Sequence, residues 1–114
     1  MAATFEYIEP ESVRKNPFRF IEIKEYSFRA EIYRLGVLIY MLMYEVLPFC
    51  EMTWKNLCNS ILTEEVICCN KDKNGNIIPK KILYIMRVCL NKNKDKRFSS
   101  ACEILTILKK DVSL

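Results

Sequence analysis

The chain is 114 residues long, 51% apolar, with a formal net charge of +4. That length and apolar share suit one small domain around one core, and the lysines are scattered except between Lys92 and Arg97, so a nucleic-acid partner is not expected. The six cysteines form no CxxC pair and the chain has no histidine, which excludes the usual zinc spacings and points to free thiols in a reducing compartment.

The opening MAATFEYIEP has neither a basic start nor an apolar core. No secretion signal is therefore expected, and the location expected is cytoplasmic. Glu9, Pro10 and Glu11 read as the start of a short helix, because proline lacks the amide hydrogen that would go unpaired there and Glu11 complements the helix dipole. From Lys15 to Tyr26 there is no clean period, and Pro17 biases Asn16 away from helical geometry, so this stretch reads as a loop.

Ser27 to Tyr44 is the stretch around which the rest is organised. Ile32, Leu35, Gly36, Ile39 and Met43 mark one helical face, and Val37, Leu38, Tyr40, Met41 and Leu42 fill the other, so burial on most sides is expected. A membrane span is not expected, since the unbroken apolar run from Leu35 to Tyr44 is far shorter than the roughly 20 residues a bilayer needs. Ser27 is placed to cap the helix, Glu31 lies near its positive end, and Leu47, Pro48 and Phe49 are expected to stop it.

Thr53 opens a second pattern, with Trp54, Leu57, Cys58, Ile61 and Leu62 on one helical face. Asn70 to Asn76 is a turn cluster, with Gly75 available for a positive backbone dihedral. The helical period returns at Ile82, Ile85, Met86, Cys89 and Leu90, in a helix beginning near Pro79. Ser100 and Glu103 form a capping-box pair ahead of a last helix lined by Ala101, Ile104, Leu105 and Leu108, with Lys109 and Lys110 at its negative end. Cys58, Cys89 and Cys102 fall on the apolar faces of these helices. Nothing reads as a paired sheet, so the expected class is all-α, with five helices in one domain over residues 1–114.

Chemistry within the chain is sparse. Asn70, Asp72, Asn74, Gly75 and Ile77 fit the first positions of a calcium-binding EF-hand loop, but the twelfth position, which needs a bidentate glutamate, is Lys81, so a plain glycine turn is expected. There is no histidine for a triad, and two glycines cannot make a phosphate-cradling loop. The carboxylate pairs Glu9 with Glu11 and Glu64 with Glu65 read as a helix end and a solvated surface.

Three segments, in order, carry a resemblance. Thr4-Phe5-Glu6-Tyr7-Ile8-Glu9-Pro10-Glu11 resembles T-x-x-Y-x-A-P-E. Ser27 to Val37 is similar to S-x-K-A-D-I-Y-S-L-G-V, with Leu47-Pro48-Phe49 in place of a following P-P-F. Cys89-Leu90 through Arg97-Phe98-Ser99-Ser100-Ala101-Cys102-Glu103-Ile104-Leu105 is close to C-L-x-x-D-P-x-x-R-F-x-S-A-x-E-I-L. Together they resemble the second half of a eukaryotic-type protein kinase domain, from the end of the activation segment to the last helix.

The resemblance implies a partial C-terminal lobe of the kinase fold, with the Ser27–Tyr44 helix at its centre. It implies that Thr4 and Tyr7 belong to the substrate-receiving loop, that Glu11 pairs with Arg97, and that Glu31 stands where the family uses aspartate to hold the backbone of the catalytic loop. Gly36 is structural by the same resemblance. Glu9 departs from the alanine of A-P-E, and Asn93 and Lys94 depart from the D-P pair. The Gly-rich loop, the strand lysine with its glutamate, the H-R-D loop and the D-F-G metal site would all precede Met1.

The expected function is therefore that of a truncated kinase-like domain without phosphotransfer activity on its own, having no catalytic, cofactor or metal residues. ATP and magnesium would enter only with the missing half. The alternatives are the later part of an active ATP-dependent Ser/Thr or Tyr-kinase-like protein kinase, and a helical module that binds or inhibits a full kinase. A protein partner, a kinase or a kinase substrate, is expected, and neither nucleic acid nor membrane.

Overall fold

A computed structural model describes residues 9–11 and 28–110. Among the described residues there are four α-helices: α1 (Phe28–Tyr44), α2 (Trp54–Thr63), α3 (Lys80–Cys89) and α4 (Ala101–Lys109), with a 3-10 turn at Lys94–Lys96 between the last two. Pro10 and Glu11 are helical as well, at the place of the expected first helix. The expected loop over residues 15–26 and the expected Ser27 cap lie outside the described residues. The class is all-α; the one pairing of extended backbone among the described residues is an isolated antiparallel bridge between Lys71 and Ile77.

Helix α1 ends at Tyr44, the expected end of the stretch, and the chain has left the helix before Leu47 to Phe49. The reason is local. Glu45 adopts a left-handed φ of 58°, and its amide donates to the Met41 carbonyl at 2.9 Å, closing the last turn. The Asn70–Asn76 cluster then docks on this helix end. The Lys73 amide donates to the Met43 carbonyl, also at 2.9 Å, and the Lys73 ammonium pairs with Glu45 at 2.7 Å, so a cation sits at the negative pole. Within the cluster Gly75 takes φ 81°, while Asp72 Oδ1 accepts from the Asn74 and Asn76 amides, which is the expected glycine turn.

The core is the crossing of α1 and α3. Tyr33, Val37 and Tyr40 pack with Ile78, Leu83, Met86 and Leu90, while Ile32 meets Ile85, Cys89, Phe98 and Ile104 from α4 and the loop before it. Gly36 permits this approach: a Cβ there would lie 2.7 Å from Cys89 Cβ and 2.9 Å from Leu90 Cγ. Helix α2 forms a satellite cluster, in which Leu57, Cys58 and Ile61 cover Phe49. Thr53 caps α2, its hydroxyl accepting from the Asn56 amide at 3.1 Å.

Three expectations are corrected. The burial expected of helix α1 is incomplete: its buried seam is Ile32, Tyr33, Gly36, Val37 and Tyr40, most of its other residues are half-buried, and on the opposite arc Leu38 is 48% and Leu42 62% exposed. The physical reason is that α3 covers one side, and a 3.6-residue period turns positions 38 and 42 away from it. On α4, Ile104 is buried but Leu105 and Leu108 are exposed, and Cys102 is exposed too, because the short helix lays one turn-wide seam on the core. The capping box does not close: Ser100 makes no side-chain cap bond, and the Glu103 carboxylate instead accepts from the Ser99 amide at 2.7 Å and from the Ser99 hydroxyl. None of the described helices is long and apolar enough to cross a membrane.

Candidate functional site

The strongest polar constellation gathers around Arg97. Its side chain is fully buried, a position that demands partners for a charge which cannot be given up. The chain supplies them from four places. Nη1 and Nη2 each donate to one carboxylate oxygen of Glu11, at 2.9 and 2.8 Å, a bidentate fork between residues 86 positions apart. Nη1 also donates to the Arg29 carbonyl at 3.0 Å, and Nε donates to the Asn91 carbonyl at 2.7 Å. The guanidinium carbon lies 4.9 Å from the centre of the Tyr33 ring, which forms the floor.

Arg29 answers from the first turn of α1. Its Nη1 donates to the Arg97 carbonyl at 3.1 Å and to the Lys94 carbonyl at 2.9 Å, so the two arginines bond each other's backbone. The electrostatics follow the geometry. Burial pushes the Glu11 carboxyl up, but the Arg97 hydrogen bonds and charge outweigh it, and the group titrates below its ordinary range. The Tyr33 hydroxyl, buried in the same place, is pushed up by that burial. The arrangement anchors backbone.

A second constellation lies one turn along α1. Arg34 donates from Nη2 to Glu9 at 2.9 Å and from Nη1 to Glu31 at 3.0 Å. Glu31, which the resemblance places where the family uses aspartate to hold the backbone of the catalytic loop, also pairs with Arg34 from its own helix. Gly36 sits at the α1–α3 crossing, and Thr4 and Tyr7 lie outside the described residues. Sequence reasoning passed over Arg29 and Arg34: an i, i+3 spacing from Glu31 signals Arg34, but no local spacing signals Glu9.

A cleft of about 370 Å³ opens beside α3, lined by Glu65, Cys68, Arg87, Asn91 and Lys92 among others. Its cations are engaged: Lys92 donates to the Ile61 carbonyl at 2.5 Å and lies over the Phe49 ring. Burial outweighs the nearby Arg87 charge and pushes the Cys68 thiol up, which disfavours a thiolate nucleophile. Gly36 is used at a helix crossing and Gly75 in a surface turn, and no group of three His, Cys, Asp or Glu able to hold a metal occurs among the described residues.

Compared with known families, the chain matches the protein kinase domain over residues 1–109. No curated protein matches it.

Proposed function

The chain belongs to the protein kinase family, and from that premise we propose that these 114 residues serve as a C-terminal-lobe unit with no phosphotransfer of their own. The observation that carries this reading is the fate of the glycines and the missing histidine. Both glycines have structural duties, one in a helix crossing and one in a turn, so neither is left to bring backbone amides onto a triphosphate. Without histidine no H-R-D loop exists in the chain. What it does hold is the anchoring half of a kinase lobe, with Glu11 forked onto Arg97 and the helices packed around α1.

Such a unit acts through protein contacts. The apolar arc of α1 at Leu38 and Leu42 is the surface on which a kinase, or the N-terminal half of a kinase domain, would pack. ATP and magnesium would come with that partner. Titration of the purified chain with ATP and magnesium by calorimetry tests the reading. No saturable heat is expected; binding at a definite stoichiometry would overturn it.

A further inference from the structure

We propose that Arg34 is a positioning residue, a second clamp that fastens the Glu9 end of the 9–11 segment to the middle of α1, separately from the Glu11–Arg97 fork. Glu9 is the buried member, with a side chain only 4% exposed, and its partner comes from 25 positions along the chain at 2.9 Å. Arg34 spans two carboxylates with two different nitrogens, Nη2 to Glu9 and Nη1 to Glu31, a task for a planar fork and not for a point charge. The same three positions depart from the motifs described above: glutamate stands for alanine at 9, glutamate for aspartate at 31 and arginine for serine at 34. A buried carboxylate at position 9 needs a cation, and the arginine at 34 provides it.

The 9–11 segment is thereby held at both ends, Glu9 on α1 and Glu11 on Arg97, with Pro10 buried between them. The clamp holds whether or not the chain binds ATP, so it goes beyond the function proposed above.

Two measurements on the full chain test it. In the nitrogen-15 spectrum, the guanidinium groups of Arg34 and Arg97 in the unsubstituted protein are both expected to show hindered rotation. Glu9→Ala should leave Arg34 held through Nη1 by Glu31 and speed the rotation of its Nη2 end, while leaving Arg97 hindered. In urea, Glu9→Gln and Arg34→Ser should be coupled, the double variant unfolding no more readily than the weaker single one and departing from additivity by about tenfold in the unfolding constant. A freely rotating Arg34 in the unsubstituted chain, or effects that simply add, would overturn the clamp. If either variant fails to fold, the spectrum of the unsubstituted protein decides alone.

Discussion

Arg97 shows how much one residue can hold together when its charge is fixed and its surroundings are dry. Four of its hydrogen bonds go to Glu11, Arg29 and Asn91, joining segments that the sequence keeps far apart. Arg97→Ala leaves a carboxylate and two carbonyls without this donor, and is expected to cost about 3 kcal/mol or more, read as a lower urea midpoint with the slope unchanged. The pairing also sets an acid limit. Because the Glu11 carboxyl titrates lower in the folded chain than its ordinary value of 4.5, its contribution is fully present above that value and is lost as pH falls through the lower, folded one. Stability measured from pH 6 downward should therefore fall along an acid limb that Glu11→Gln flattens; an identical limb in that variant would count against the fork.

At the scale of elements, most helix positions were legible and their faces only partly so. The periods at Trp54 to Leu62 and Ile82 to Leu90 mark α2 and α3, because a one-sided helix writes its burial into its own spacing. Helix α1 is apolar all round, and there periodicity is a weak guide: of the face marked by Ile32, Leu35, Gly36, Ile39 and Met43, Ile32 and Gly36 are buried, but the seam continues through Tyr33, Val37 and Tyr40 while Leu35, Ile39 and Met43 are only partly covered. The partner chose the face. The side chains of Cys89 and Leu90 come so near Gly36 that even a methyl group there would collide with them. Gly36→Ala improves helix propensity by up to about 1 kcal/mol, but overpacking costs about 1–3 kcal/mol, so net destabilisation is expected in urea. A more stable variant would mean that α1 and α3 can move apart.

For the molecule as a whole, the apolar arc on the far side of α1 has the largest consequence. Leu38 and Leu42 are more exposed than large aliphatic side chains on a central helix ordinarily are, and Phe28 and Val46 extend the exposed apolar surface at either end. The purified chain is expected to self-associate with rising concentration. The double variant Leu38→Ser with Leu42→Ser should sediment as a monomer and keep its urea midpoint to within about 0.5 kcal/mol, since exposed positions contribute little to folding. A monodisperse unsubstituted chain would remove the case for a partner at this face.

The sequence by itself determined the all-α class, the places of α1 to α4, the glycine turn and the order of the family motifs. These are local properties, decided by spacing, caps and turn residues within a few positions of one another. Only the tertiary structure decided which side of α1 is covered, that Ser100 leaves the Glu103 carboxylate to Ser99, and that Glu9, Arg34 and Glu31 meet. Each of those depends on which groups compete for one buried charge or one surface. That competition is settled by neighbours distant in sequence, about which a local pattern carries no information.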